Sequence, residues 1–154
     1  MIELTLSGRF AGKKLPESFF LETIEKVLKF LGAKGNFGLS INLVSCQEIR
    51  KLNKKYRQQD KSTDVLSFPL IEKKQIFSNR RGSAIIELGD IFICPDWNGK
   101  KASREDISER VAHGLLHLLG ADHEKSPLDK KIFDKIHRAT KQKFKTIKNW
   151  QDQI

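Results

Sequence analysis

The chain has 154 residues, of which 38% are hydrophobic and 31% are charged, and its formal net charge is +10. This length predicts one domain over residues 1–154 with a single core that needs no disulfide or metal to hold it together. No run approaches the roughly 20 apolar residues of a membrane-spanning helix, and the N-terminus does not resemble a signal peptide, so we expect a cytoplasmic protein without a membrane partner. The excess of lysine favours a phosphate polymer as partner, although a merely lysine-rich soluble protein explains the charge equally well.

The first half of the chain predicts two strands and two helices. The segment IELTLSG alternates apolar and polar residues, as a strand does. A helix follows, whose apolar face holds Phe20, Ile24, Val27, Leu28 and Leu31. LSINLVS is a second strand, and the capping-box pattern of Ser45 and Glu48 begins a second helix. The apolar face predicted for this second helix consists of Ile49, Leu52 and Tyr56.

The second half predicts the remaining strands and two long helices. TDVLSFPL is a third strand that ends or lies at a sheet edge at Pro69, IEKKQIFSNRRGS is a loop, and AIIELGDIFICPD is one long strand or two short ones with Gly89 as a bulge. A second capping-box pattern, Ser103 with Asp106, begins a helix that ends at Gly120. Pro127 begins the last helix, with apolar positions Leu128, Ile132, Ile136 and Phe144. We therefore expect an α+β fold with a small mixed four-stranded sheet and four to five helices.

Two cysteines, Cys46 and Cys94, lie far apart in the sequence and form no C-x-x-C motif. They are either one disulfide or two buried thiols. Because disulfides are rare in cytosolic proteins, the sequence favours free thiols.

Three of the four histidines lie in one short window, HGLLHLLGADH, from His113 to His123. His113 and His117 are four residues apart and share one side of the predicted helix, nearly opposite the apolar stripe of Ile107, Val111, Leu115 and Leu118. A turn at Gly120 lets His123 approach the other two rings. Three imidazoles suit a divalent cation such as zinc, and three protein ligands leave one coordination position open. The fourth histidine, His137, has no other histidine near it in the sequence and is predicted to lie on a helix surface.

The spacing H-x-x-x-H-x-x-G-x-x-H is that of the metzincin metalloproteases, so the helix is metzincin-like. Those proteases carry a glutamate directly after the first histidine, and it serves as the general base. Gly114 occupies that position here. The motif therefore predicts the metal ligands and argues against peptide hydrolysis.

The window closely resembles the H-G-x-L-H-L-x-G-Y-D-H signature of the YbeY family of bacterial endoribonucleases. LNKKYRQQDKSTDVLSFPL resembles the family's second block, and LGDIFICPD resembles its third, in the same order along residues 52 to 123. Ala121 departs from the family pattern, which usually has Tyr at this position, and this leaves the fine geometry of the metal loop open.

The resemblance implies a zinc-dependent endoribonuclease that cleaves single-stranded RNA, matures the 3′ end of small-subunit ribosomal RNA and contributes to ribosome quality control. It implies one Zn²⁺ per chain, with nickel as another metal that such imidazole sites bind. Its metal ligands correspond to His113, His117 and His123, and its catalytic arginine corresponds to Arg57. The expected partners are ribosomal RNA and the small ribosomal subunit, together with a ribosome-assembly GTPase and a small-subunit ribosomal protein.

Three further residues near these motifs have open roles. An arginine can bind two phosphate oxygens at once, but Arg57 considered alone is a solvated basic residue, and only its surrounding block assigns it to the site. Asp122 either orients an imidazole or caps the turn. Ser67 either lines the cleft or is a strand serine satisfied by its neighbours.

Basic residues mark candidate RNA contacts. Residues 125–148 contribute +7 of the net charge, and this segment is either an RNA-binding surface or a solvated lysine-rich face. The candidates are Lys54, Lys55, Arg80, Arg81, Lys130, Lys131 and Arg138. Two other functions compete with the nuclease: an RNA-binding ribosome-assembly factor with a structural metal, and a metalloprotease relative. The general base, the attacking nucleophile, the cleavage site and the oligomeric state are not determined by the sequence.

Overall fold

The computed structural model describes residues 1–77 and 84–142. Its elements in chain order are β1 (Ile2–Ser7), α1 (Glu17–Phe30), β2 (Asn36–Leu43), α2 (Cys46–Arg57), β3 (Val65–Pro69), α3 (Lys73–Phe77), β4 (Ile85–Ile93), a short 3₁₀ turn (Trp97–Gly99), α4 (Arg104–Leu118) and α5 (Pro127–Lys141). The α+β fold with a mixed four-stranded sheet is confirmed. The predicted loop before β4 is partly wrong, because Lys73–Phe77 form a helix around the buried Ile76. No helix of the described part of the chain has the length and apolar character to cross a membrane.

The four strands form one sheet in the order β1-β2-β4-β3. The first three strands are parallel, and β3 runs antiparallel to β4 at the edge, where Pro69 is its last residue. Glu87 pairs with Gly38 and Gly89 pairs with Leu39, so β4 has one extra residue and bulges, as predicted. Gly89 has a φ of 130°, and a Cβ at this position would lie 2.1 Å from the carbonyl oxygen of Phe68, so only glycine fits.

Helix α4 runs through the interior of the domain. It packs against β3 and β4 on one side and against α1 and α5 on the others. All four residues of its predicted apolar stripe, Ile107, Val111, Leu115 and Leu118, are fully buried. Its capping box is present, with Ser103 Oγ accepting from the Asp106 backbone N–H and the Asp106 carboxylate accepting from the Ser103 backbone N–H. The histidine motif therefore lies on the most enclosed helix of the fold.

Two predicted apolar faces differ from the structure. In α2, Ile49 is buried, but Tyr56 is 54% exposed, and Asn53 is buried instead because its amide donates to the Lys61 carbonyl. In α5, Leu128 is 68% exposed. Ile136 is buried as predicted and Ile132 is partly buried, and the buried residues of α5 are Asp129, Phe133, Ile136, Ala139 and Thr140. Phe144 lies outside the described residues.

The prediction of free cysteines is wrong, because Cys46 and Cys94 are joined by a disulfide with their Cα atoms 5.5 Å apart. The backbone N–H of Val44 donates to the Ile93 carbonyl at 2.9 Å, and this hydrogen bond holds the start of α2 beside the end of β4. Ile49 and Leu66 are buried in the same small apolar cluster as Cys94. The two cysteines are 48 residues apart in sequence, and only the tertiary structure brings them together.

Candidate metal centre

The end of α4 reverses the chain and brings the third histidine to the first two. The N–H of Ala121 donates to the Leu116 carbonyl and the N–H of Gly120 donates to the His117 carbonyl, both at 3.0 Å. This is the Schellman pattern, and Gly120 has the positive φ, 86°, that it requires. The ring centroid of His123 then lies 5.2 Å from those of both His113 and His117.

The carboxylate of Asp122 stabilises this turn. It accepts from the backbone N–H groups of Glu124 at 3.0 Å and Lys125 at 3.3 Å. The backbone N–H of Asp122 donates to the buried Asp129 carboxylate at 2.9 Å, which ties the turn to the first turn of α5. Of the two roles left open for Asp122, these hydrogen bonds are those of a turn cap.

One ring nitrogen of each of the three histidines lies within 4.8 Å of those of the other two. In residues 1–77 and 84–142, these histidines are the side chains that come close enough together to hold a metal ion. Nε2 of His113 lies 3.2 Å from Nε2 of His117. Two nitrogens bound to one tetrahedral zinc ion at 2.0–2.1 Å lie about 3.4 Å apart. The donor set and its spacing therefore fit a divalent cation with three protein ligands.

Partial burial keeps His113 and His117 in the form that binds metals. Removal from water, together with the neighbouring histidines, lowers the pKa of His113 to about 3, and removal from water is the largest cause. Burial also lowers the pKa of His117, although Asp122 and a hydrogen bond with the Ala121 backbone oppose the shift. At neutral pH, both rings are therefore neutral, and a neutral ring nitrogen has the lone pair that a cation requires.

Two residues of α5 complete the surroundings of the histidines, and the sequence reasoning missed both. Phe133 is 3% exposed, and its ring centroid lies 4.7–5.0 Å from those of His113, His117 and His123. His137 was predicted to lie on the surface, but its Nε2 is 3.1 Å from Nδ1 of His113. Burial lowers the pKa of His137, with Glu109 opposing the shift. A helical period counted from Asp129 instead of Leu128 places Phe133 and His137 on the same side of α5 as the buried Asp129.

A cavity of about 310 Å³ opens beside the three histidines, and Arg57 and Ser67 line it with them. Arg57 is the last residue of α2, and its Nη2 donates to the Ser67 carbonyl at 3.2 Å. The Ser67 hydroxyl donates to the Gly114 carbonyl at 3.1 Å, so it is satisfied within the protein. The structure thus brings the guanidinium, the strand serine and the imidazoles of the predicted site to one cavity. Asp122 lines it too.

The candidate RNA contacts are less concentrated. Lys54 and Lys55 lie in the last turn of α2, where Lys54 pairs with Asp60 and Lys55 lies over the Tyr56 ring. On α5, Lys130, Lys131 and Arg138 are exposed. None of these five side chains lines the cavity in the described part of the chain. Arg80 and Arg81 lie outside the described residues, as does the end of the basic segment 125–148.

Gly114 has no room for the glutamate of the metalloproteases. A Cβ at this position would lie 2.7 Å from Cγ2 of Ile91 and 3.1 Å from Oγ of Ser67. Helix α4 packs on the sheet through its bare backbone at this point. The side of the helix where a protease has its base is therefore filled by the sheet.

The comparisons with known proteins identify the family. A family model described as Endoribonuclease YbeY matches residues 10–145. The endoribonuclease YbeY of Persephonella marina is 33% identical over 138 residues, 86% of each chain, and that of Aquifex aeolicus is 39% identical over 118 residues, 73% of each chain. A solution structure of a Thermotoga maritima protein, 30% identical, superposes with a TM-score of 0.53 over 91% of this chain and 86% of that one. The chain belongs to the endoribonuclease YbeY family, as its three sequence blocks predict.

Proposed function

We propose that this protein is a metal-dependent endoribonuclease that hydrolyses phosphodiester bonds in single-stranded ribosomal RNA, with a role in maturation of the small-subunit 3′ end and in ribosome quality control. The observation that carries the proposal is the convergence of His113, His117 and His123 beside a cavity that Arg57 also lines. Membership of an endoribonuclease family supports RNA as the substrate.

The protein's own groups supply most of what phosphodiester cleavage requires. Cleavage adds negative charge to the phosphoryl oxygens in the transition state, and the guanidinium of Arg57 is oriented on the cavity wall by its hydrogen bond to the Ser67 carbonyl. The three half-buried imidazoles would hold the cation, and Phe133 packs against all three rings, which limits their movement. A divalent cation held there supplies positive charge for the scissile phosphate and makes nearby water more acidic.

The number of protein ligands favours a nuclease over an assembly factor with a structural metal. Structural zinc sites are normally closed by four protein ligands, whereas catalytic sites have three and keep one position open. Three imidazoles meet in the described part of the chain, and the two cysteines are bonded to each other. A metalloprotease is disfavoured because Gly114 stands where the catalytic glutamate would be.

Paired substitutions test the proposal by elemental analysis and by cleavage of a labelled single-stranded RNA. In His117→Ala, we expect the metal content and the cleavage rate both to fall to background. Arg57→Ala is expected to keep the metal and lose about 100-fold or more in rate, because a positioned transition-state donor is removed. Arg50→Ala is the matched control, since this arginine lies on the same helix and pairs with Asp60 instead. Full activity in metal-free His117→Ala would refute the proposal, and a metal-loaded protein that binds RNA without cutting it would favour the assembly factor.

We also propose that the metal is zinc and that the protein acts in the cytoplasm. Its proposed partners are ribosomal RNA, the small ribosomal subunit, a ribosome-assembly GTPase and a small-subunit ribosomal protein. Three imidazoles also bind nickel, so elemental analysis of protein from unsupplemented cells identifies the metal. Separation of cell fractions, with detection of the protein in each of them, tests the location, and the protein is expected in the cytoplasmic fraction.

A further inference from the structure

His137 lies behind the metal centre rather than on the helix surface. Its side chain is 30% exposed, and its Nε2 lies 3.1 Å from Nδ1 of His113. Its other ring nitrogen, Nδ1, is 3.4 Å from Oε1 of Glu109. Glu109 is on α4, one helical turn before His113, and its side chain is 22% exposed. A chain of polar atoms therefore runs from His113 on α4 to His137 on α5 and back to Glu109 on α4.

The direction of this chain follows from the chemistry of imidazole. Nε2 of His113 faces Nε2 of His117, so with a cation bound between the rings this nitrogen would offer its lone pair to it. A neutral imidazole has one N–H, and that hydrogen is then on Nδ1, where it can be donated to Nε2 of His137. The hydrogen of His137 is then on Nδ1, the nitrogen that faces the Glu109 carboxylate at 3.4 Å. One arrangement of hydrogens satisfies all three side chains, and it leaves the His113 lone pair free for the cation.

We propose that His137 and Glu109 are positioning residues that fix the ring orientation and the tautomer of His113 for cation binding. The inference rests on the proposed metal-dependent function and adds two residues that the family signature does not contain. Metal-bound histidines almost always donate their second ring N–H to an acceptor, and loss of that acceptor typically weakens metal binding by about 10–100-fold. A carboxylate at the far end makes the intervening imidazole a stronger acceptor.

The geometry argues against His137 as a fourth ligand. Its Nε2 faces Nδ1 of His113, whereas the nitrogens that converge with each other belong to His113, His117 and His123. The His137 ring is also separated from the Phe133 ring by 6.4 Å between centroids, a longer distance than those from Phe133 to the other three imidazoles. His137 therefore contacts one ligand from behind.

The test measures the dissociation constant for zinc by competition with a chromophoric chelator, on the metal-stripped full chain. His137→Leu removes the acceptor and is expected to bind zinc about 10–100-fold more weakly. His137→Gln places an amide oxygen near the former Nε2 and is expected to recover most of the affinity. Glu109→Leu is expected to show a smaller loss in the same direction. Leu128→Gln, at an exposed position of the same helix, is the matched control and should bind like the wild type.

The outcomes separate this inference from the proposed function. If the wild type binds one zinc ion and His137→Leu binds it as tightly, the positioning role is refuted and the metal centre stands. If the wild type binds no metal, both are refuted. A measurement that needs no variant comes from ¹H–¹⁵N correlation spectra of the zinc-loaded wild type, in which the His113 hydrogen is expected on Nδ1. A hydrogen on Nε2 of His113 would overturn the inference even if His137→Leu did not fold.

Discussion

Replacement of Gly114 by alanine tests how closely α4 packs on the sheet. Alanine is the better helix former by about 1 kcal/mol, so at an uncrowded helical position the change would stabilise the protein. In this structure, the new Cβ would lie 2.7 Å from Cγ2 and 3.2 Å from Cδ1 of the fully buried Ile91. Overpacking of a core by one methyl group costs about 1–3 kcal/mol. The two effects together predict a net loss of about 0–2 kcal/mol in the free energy of unfolding.

A double-mutant cycle isolates the contact. Ile91→Ala alone should cost about 2–5 kcal/mol because it leaves a cavity. In that background, both contacts with Ile91 are relieved and only the one with Oγ of Ser67 at 3.1 Å remains, so Gly114→Ala should become neutral or stabilising by up to about 1 kcal/mol. The coupling energy between the two substitutions is thus expected to be about 1–3 kcal/mol.

Urea denaturation of the four metal-free proteins, followed by circular dichroism, measures the cycle. Equal slopes of the unfolding transition would show that the comparison is valid. If Gly114→Ala stabilised the wild type and the Ile91→Ala protein by the same amount, the helix would not be in close contact with the sheet. The explanation for the absent protease glutamate would then fail with it.

Three further predictions concern other parts of the site and its supports. Phe133→Ala should lower the free energy of unfolding by about 3–5 kcal/mol in chelator-treated protein, and a loss below about 1 kcal/mol would show that the ring does not support the histidines. Reduction of the Cys46–Cys94 bond should lower the free energy of unfolding by up to about 4 kcal/mol, as the chain-entropy model gives for a 48-residue separation. The Cys46→Ser/Cys94→Ser protein is the control, and reductant should not change its stability. Asp106→Ala should destabilise α4 by about 0.5–1 kcal/mol at pH 7. The hydrogen bond from the Ser103 backbone N–H lowers the pKa of Asp106 below 3.8. The stability that the Asp106 carboxylate contributes is therefore present above pH 3.8 and is lost as the pH falls through the lowered pKa. If Asp106→Ala were still less stable than the wild type by the same amount at pH 2, this account would be contradicted.

Features of the fold that depend on neighbouring residues could be predicted from the sequence. The capping boxes at Ser45 and Ser103 and the bulge at Gly89 are local patterns, and all three are present. The histidine window is equally local, because its three rings need one helix, one glycine turn and the short segment after it. Proximity of these rings therefore followed from spacing alone.

Features that depend on contacts between distant segments could not be predicted in the same way. The pairing of His113 with His137 and the bond between Cys46 and Cys94 join elements that are far apart in sequence. On α5, apolar character predicts that Leu128 is buried, whereas its side chain is exposed. In the structure, the buried face of α5 begins with the charged Asp129, whose burial is compensated by the backbone N–H of Asp122. Hydrophobic periodicity does not register a buried carboxylate that has a partner.

Ser67 links the two halves of the site through one residue of an edge strand. Its carbonyl accepts from Arg57, and its hydroxyl donates to Gly114 of the metal helix. A strand at the margin of a sheet fluctuates more than a central one, and such motion would ordinarily vary the gap between groups attached to either side. With both attachments on the same residue, a displacement of β3 moves the guanidinium and the histidine helix in concert. Loss of the hydroxyl alone, as in Ser67→Ala, would break one attachment and leave the other, so arginine and metal would both remain while the distance between them became variable.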